Sequence, residues 1–69
     1  MLKIGEKFIL SDIALENYGE QYKDIVFTVS HVATSKYEHP GYDNSMEGMP
    51  LYDAEELQFS VYEYEIEEI

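Results

Sequence analysis

The sequence predicts a mainly β fold with one short helix, closed into a small and strongly bent antiparallel barrel. Three observations predict it. Short runs of alternating apolar and polar residues recur, a single segment carries helix start and stop signals, and a long middle stretch has the composition of a loop. The 69 residues permit one small domain, and no repeat or linker divides them, so we expect residues 1–69 to fold as one unit.

The first two elements are a strand and a helix. Residues 7–10 (KFIL) are typical of a strand, and Gly5 before them suits a turn or a bulge. Ser11 can cap the free backbone N–H groups of a following helix, and Asp12 complements the positive end of its dipole. Gly19 ends the helix after about two turns. The expected apolar stripe of this helix consists of Ile13, Ala14, Leu15 and Tyr18.

The clearest strand spans residues 24–34, where apolar and polar residues alternate with the period of a half-buried strand. The expected buried face carries Ile25, Phe27, Val29 and Ala33. The opposite face carries Thr28, Ser30 and Thr34. Val26 and Val32 also fall on the second face, so we expect that face to be half covered.

The second half of the chain is less regular. Residues 35–50 are rich in Gly, Pro, Asn and Ser and predict a long irregular loop, and such loops are usually functional or mobile. A further strand is predicted by the alternation of Leu57, Phe59 and Val61. The apolar phase then slips by one residue to Tyr62, Tyr64 and Ile66. A bulge or a single helical turn at 61–63 would account for the slip.

The charge of the chain is strongly unbalanced. Fifteen Asp and Glu stand against four lysines and no arginine, for a formal net charge of -11. Residues 1–36 hold five acidic residues and four lysines, a net of -1, whereas residues 37–69 hold ten acidic residues and no lysine, a net of -10. This balance argues against direct binding to nucleic-acid phosphates or to anionic membranes, because both require clustered cations.

The residue types that are missing exclude further classes of protein. Without cysteine there is no disulfide framework, thiolate nucleophile or thiolate zinc site. No apolar run reaches the length of a signal peptide or of a membrane span, so we expect a cytoplasmic protein.

The acidic residues near the end of the chain follow a regular spacing. Glu63, Glu65 and Glu67 alternate with apolar residues, so a strand would line up three carboxylates about 6.6–6.8 Å apart. That resembles the spacing of phosphates along an extended single strand of nucleic acid. Asp53, Glu55 and Glu56 would extend the same surface. The alternative interpretation is a solvated face that keeps a small protein soluble.

Tyrosines accompany the acidic residues and are typical anchors of protein interfaces. Tyr62 and Tyr64 are expected in the core, and Tyr37 and Tyr42 on the surface. The predicted partner-binding residues are Tyr42, Asp43, Glu47, Tyr52, Asp53, Glu55, Glu56, Glu63, Glu65, Glu67 and Glu68.

Catalytic and metal-binding patterns are weak in this chain. His31 is expected to be a hydrogen-bonded, partly buried structural residue. Residues 39–43 (HPGYD) are typical of a turn. A metal site from His39, Asp43 and Glu47 matches no zinc or calcium spacing. No nucleophile elbow, phosphate-binding glycine loop or enclosed carboxylate pair is present. We therefore expect no enzyme activity, no cofactor and no metal.

Five stretches resemble small proteins encoded by tailed bacteriophages: 14–22 (ALENYGEQY), 26–29 (VFTV), 39–43 (HPGYD), 51–53 (LYD) and 59–65 (FSVYEYE). The resemblance spans almost the whole chain and carries no catalytic motif. The predicted order of a closing strand, a short helical turn and a last strand is similar to SH3-like barrels such as that of a small accessory protein of photosystem I. The resemblance implies an SH3-like fold and a phage origin.

Two functions are favoured by these expectations, and a small metal- or ligand-responsive regulator is a third alternative, which metal-independent folding and binding would exclude. The first is a phage-encoded inhibitor whose acidic surface mimics nucleic acid and occludes a basic groove of a host protein, such as a defence nuclease, a CRISPR effector or a transcription factor. The alternative is an accessory SH3-like domain of a larger assembly that binds through loop 35–50. In either case the partner is a protein.

Overall fold

A computed structural model describes all residues, 1–69, and confirms a mainly β fold with one short helix. The strands are β1 (Lys7–Leu10), β2 (Phe27–Ala33), β3 (Leu51–Ala54), β4 (Val61–Tyr62) and β5 (Ile66–Glu68). The helix α1 spans Asp12–Tyr18, and single 3₁₀ turns lie at Glu20–Tyr22, Asn44–Met46 and Glu63–Glu65.

The five strands form one antiparallel sheet in the order β4-β3-β2-β1-β5. Strand β2 lies at its centre and pairs with strands on both sides. The start of β2 pairs with β1, and the rest of β2 pairs with β3. Its register shifts between Val29 and His31, and an irregularity of this kind bends a strand. The bent sheet is compatible with the small SH3-like barrel predicted from the sequence.

Helix α1 follows the capping signals in the sequence. The Ala14 N–H donates to the Ser11 hydroxyl across 3.4 Å, and the helix ends at Gly19, whose φ of 122° favours glycine. A Cβ at Gly19 would also collide with the Gln21 side chain. The predicted stripe is only partly correct, because Ile13 is 53% exposed while Ala14 and Leu15 are buried. A helix of two turns has room for few residues facing the core.

Strand β2 begins three residues later than predicted. Asp24 adopts a positive φ of 62°, which interrupts extended backbone, and Ile25 and Val26 are exposed. From Phe27 onward the predicted alternation holds, with Phe27, Val29 and Ala33 buried.

The core is built around three aromatic rings. Phe8, Phe27 and Tyr52 are fully buried, and the Phe8 ring lies 5.6 Å from Phe27 and 6.2 Å from Tyr52, centroid to centroid. Helix α1 contributes Ala14 and Leu15 to this core, and its Tyr18 ring stacks on Phe59 at 4.3 Å. A second, smaller cluster joins Ala33, Tyr42 and Leu51 at the other end of β2.

The predicted strand through Leu57, Phe59 and Val61 is wrong in its extent. The chain turns after β3, where the Leu57 N–H donates to the Ala54 carbonyl, and only Val61–Tyr62 is extended. Leu57 lies in this turn and packs into the core, so its apolar side chain does not indicate a strand. Strand β3 was not predicted, because three of its four residues are buried and no alternation is visible.

The predicted break before the last strand is present as a helical turn. It lies at Glu63–Glu65, two residues beyond the expected position at 61–63. The turn carries the chain from β4 to β5, on opposite edges of the sheet.

Candidate partner-binding surface

Six of the eleven predicted partner-binding residues are exposed carboxylates. They lie in three separate segments of the chain: the 43–47 part of the long loop, the turn after β3, and β5. These residues are Asp43, Glu47, Glu55, Glu56, Glu67 and Glu68.

Hydrogen bonds hold two of these exposed carboxylates in the charged form. The backbone N–H and the hydroxyl of Ser45 both donate to Asp43, and these bonds lower the pKa of the Asp43 carboxyl. The Thr28 N–H donates to Glu56 and lowers its pKa in the same way. In addition, Glu38 accepts from the N–H and hydroxyl of Thr34, and its pKa is lowered.

The expected row of three carboxylates on a terminal strand is not formed. Glu63 and Glu65 lie in the 3₁₀ turn, and only Glu67 lies on β5. A 3₁₀ turn has three residues per turn, so side chains two positions apart do not share a face. The prediction was wrong because the helical turn falls on the row itself.

Glu65 is buried, with only 3% of its surface exposed. One carboxylate oxygen accepts the Tyr62 N–H across 2.9 Å, and the other accepts the Tyr18 hydroxyl across 2.9 Å. Helix α1, β4 and the last turn therefore meet at a single carboxylate. The Tyr18 pKa rises to about 12, chiefly through burial and then through its bond to Glu65. Glu65 cannot reach a partner without unfolding this junction.

Tyr52 is also buried, with 0% exposure, and is not available on the surface of the folded chain. Its hydroxyl accepts the Leu2 N–H across 2.9 Å and donates to Glu63 across 2.7 Å. Burial is the main cause that raises the Tyr52 pKa to about 12. Glu63 is about one-third exposed, and the amino group of Met1 lies 3.5 Å from its Oε1.

Asp53 belongs to a half-buried polar cluster with His39 and Ser60. Nε2 of His39 lies 3.1 Å from an Asp53 oxygen and 3.1 Å from the Ser60 hydroxyl, which itself donates to Asp53. The three side chains line a surface pocket of about 340 Å³ beside Phe59. Sequence reasoning placed Asp53 on the acidic surface and missed its two partners, which come from distant segments.

The orientation of His39 decides what this cluster can do. The Gly41 N–H donates to Nδ1 across 2.9 Å, so Nδ1 holds a lone pair and the proton is on Nε2. A histidine base would need an unprotonated nitrogen facing the serine. Here the nitrogen near Ser60 carries the proton, and the arrangement supports a structural role that fixes the turn at 39–41.

The other predicted histidine features are mixed. His31 is hydrogen-bonded as expected, with Nε2 lying 3.1 Å from the Glu38 carbonyl oxygen, but it is exposed rather than partly buried. It follows the register shift in β2, and its side chain lies on the exposed side of the strand. The residues His39, Asp43 and Glu47 form no cluster that could hold a metal ion.

The loop tyrosines differ from expectation. Tyr42 is 6% exposed and Tyr64 is 49% exposed, so the prediction was wrong for both, while Tyr37 is exposed as expected, at 89%. Tyr42 packs edge-on against Tyr62 at 5.6 Å, and Tyr62 stacks against Tyr64 at 6.3 Å. Three tyrosines thus run from the interior to the surface. Tyr62, expected in the core, is half-buried.

The Tyr42 hydroxyl braces the long loop. It lies 2.5 Å from the Met46 carbonyl oxygen and 2.6 Å from the Met49 carbonyl oxygen, donating to these two acceptors. Loop 35–50 contains no strand, yet this contact, the Asn44–Met46 turn and a bond from the Gly48 N–H to the Thr34 carbonyl hold its shape.

We expect Tyr42→Phe to loosen this loop while the sheet stays folded. The ring is retained, and two carbonyls lose their shared donor, so the free energy of unfolding should fall by about 1 kcal/mol. Amide hydrogen exchange at Gly48 and Met49 should accelerate more than exchange at Val29. Equal acceleration throughout the sheet would contradict a bracing role confined to the loop.

The lysines do not neutralise the acidic residues. Within 4.0 Å, the carboxylates have only two basic partners, the amino group of Met1 at Glu63 and His39 at Asp53. Lys7 instead donates to the Thr28 hydroxyl, and Lys36 lies over the Tyr37 ring at 5.5 Å. Of the ten acidic residues in the second half of the chain, seven are therefore exposed with no lysine within 4.0 Å.

No family model, curated protein or solved structure matches this chain. No helix in it has the length and apolar character needed to cross a membrane. The exposed carboxylates of the three segments and the ordered loop 35–50 are the features on which a function can be argued.

Proposed function

We propose that this protein is a phage-encoded, non-enzymatic inhibitor that acts in the host cytoplasm. Its acidic surface would occupy a basic, nucleic-acid-binding groove of a host protein, such as a defence nuclease, a CRISPR effector or a transcription factor. The observation that carries the proposal is the absence of any lysine–carboxylate ion pair in a chain with fifteen acidic residues.

Unpaired charge of one sign costs self-repulsion in the free protein, and a cationic partner relieves it. The exposed carboxylates lie on loop 35–50, on the turn after β3 and on β5, so the partner would have to contact more than one segment of the chain. Asp43 and Glu56 keep their charge because hydrogen bonds lower their pKa values. Tyr64 supplies exposed aromatic area, of the kind that anchors protein interfaces. In the complex the carboxylates would take the positions of phosphates.

Competition with nucleic acid tests the proposal directly. The immobilised chain should retain a nucleic-acid-binding protein from bacterial lysate at low salt, and a DNA or RNA oligonucleotide should displace it. Retention should fall by about tenfold or more between about 50 and 200 mM salt, because an interface of this kind depends on charge. Simultaneous binding of the oligonucleotide and the chain would contradict occlusion.

A matched pair of variants distinguishes the effect of the exposed carboxylates on binding from the effect of net charge. Glu67→Gln with Glu68→Gln removes two charges from β5, and Glu16→Gln with Glu20→Gln removes two from the first half of the chain. All four side chains are exposed and make no hydrogen bond, so both variants should fold. We expect the β5 variant to lose at least several-fold more affinity for the captured protein. Equal losses would indicate that only net charge matters.

The accessory-domain alternative is favoured by Tyr37 alone, because its ring is almost fully exposed on loop 35–50. An accessory role would make binding depend on Tyr37→Ala and leave it insensitive to the glutamine variants. The same retention assay distinguishes the two functions.

A further inference from the structure

We propose that the pocket between residues 45–50 and Glu63 holds an arginine side chain of the protein partner. This inference rests on the proposed function, because it assumes a basic protein partner, and it names the residue type that would anchor that partner. The pocket has a volume of about 470 Å³. It is lined by Ser45, Met46, Glu47, Gly48, Met49, Pro50 and Glu63.

The walls of the pocket are held in place before any partner arrives. The Tyr42 hydroxyl holds the Met46 and Met49 carbonyls, as described above. The Met49 N–H donates to the Met46 carbonyl across 2.9 Å, which closes a tight turn through Gly48 at a φ of 94°. A preformed pocket costs little conformational entropy to fill.

The charged atoms in the pocket are available to a cation. Glu47 is exposed and makes no side-chain hydrogen bond. Glu63 uses Oε1 for the Tyr52 hydroxyl, and its Oε2 has no hydrogen-bond partner. The amino group of Met1 lies 3.5 Å from Oε1 and already pairs with it, so Oε2 is the atom that remains for a cation of the partner.

The apolar atoms select among cations. Met46 and Met49 contribute soft, polarisable thioethers, and Pro50 contributes a flat apolar ring. A guanidinium is planar, weakly hydrated and able to bond two carboxylates at once, whereas an ammonium is a compact and strongly hydrated charge. A pocket lined by two carboxylates from separate segments together with two methionines therefore suits arginine better than lysine.

The test is to titrate a small cationic probe into the isotope-labelled chain and to monitor the NMR chemical shifts of the backbone amides and methionine methyl groups. The probes are N-acetyl-arginine amide and N-acetyl-lysine amide. We expect the arginine probe to shift Met46, Gly48, Met49 and Glu63 selectively. Glu47→Gln should weaken its apparent affinity at least about threefold, whereas the matched Glu67→Gln should change it less than twofold.

Three results would overturn the pocket assignment. They are equal shifts from the lysine probe, shifts spread over all exposed carboxylates, and equal effects of the two glutamine variants. The spectrum of each variant reports folding, so an unfolded variant is recognised at once, and Met49→Ala then provides a second test with the charge unchanged.

The experiments distinguish an incorrect assignment of arginine to this pocket from an incorrect proposed function. Selective arginine binding here, with no partner that competes with an oligonucleotide, would support the pocket and contradict occlusion. Competition that is unaffected by Glu47→Gln but lost with the Glu67 and Glu68 variants would support occlusion and contradict the pocket.

Discussion

Glu65→Ala is expected to destabilise the protein more than the removal of any other carboxylate. The substitution leaves the Tyr62 N–H and the Tyr18 hydroxyl without an acceptor in a buried junction. Each unsatisfied donor costs about 1–3 kcal/mol, so we expect the free energy of unfolding to fall by about 2–6 kcal/mol. A domain of this size has roughly 3–10 kcal/mol in total. Urea unfolding monitored by tyrosine fluorescence measures the change.

Two further variants give this prediction its controls. Glu67→Ala removes an exposed carboxylate two residues away and should cost less than about 0.5 kcal/mol. Tyr18→Phe combined with Glu65→Ala removes one of the two orphaned donors, so the double variant should be more stable than the sum of the single effects predicts. Strict additivity would show that the Tyr18 bond contributes nothing.

Alkaline pH should unfold the protein over a narrow range set by two tyrosines. The pKa values of Tyr18 and Tyr52 rise from an ordinary 10.0 to about 12 in the folded chain, through burial first and then through hydrogen bonds to Glu65 and Glu63. Because the folded state favours the protonated phenols, their stabilising effect is complete below pH 10. It is lost progressively as the pH rises from 10 through about 12.

The experiment is a series of urea midpoints from pH 8 to about 12. We expect a steep decline above pH 10 in the natural chain and a shallower one when Tyr18 and Tyr52 are both replaced by Phe. Tyr37→Phe, at the exposed ring, is the matched control and should leave the steep decline unchanged. A decline of the same steepness in the double Phe variant would contradict the assignment to these two phenols.

Local signals were sufficient for the first half of the fold. The position of β1, the Ser11 cap, the Gly19 stop and most of β2 follow from residues close together in the chain. Strand β3 was not predicted, because Leu51, Tyr52 and Ala54 are all buried. The sequence therefore lacks the alternation of apolar and polar residues that identifies a strand with one solvent-exposed face.

For the partner-binding surface, the sequence predicts where the negative charge lies along the chain but not which side chains are buried. The sequence located the acidic excess after Lys36 and named six carboxylates that are exposed. It could not predict that Glu65 is buried, because its bond to Tyr18 joins residues 47 positions apart. Tyr42 was misassigned for a similar reason, since a tyrosine in a polar loop gives no local sign that its hydroxyl will hold that loop together.

The bond between Glu65 and the Tyr62 amide also determines how other chains can approach. The Glu63 N–H bonds back to Pro50, so the Tyr62 N–H points away from β3, toward the open edge of the sheet. An unpaired amide on an edge strand is a template for adding a foreign strand. Glu65 occupies this amide and buries it together with the Tyr18 hydroxyl, so this position of β4 presents no free backbone donor to another chain.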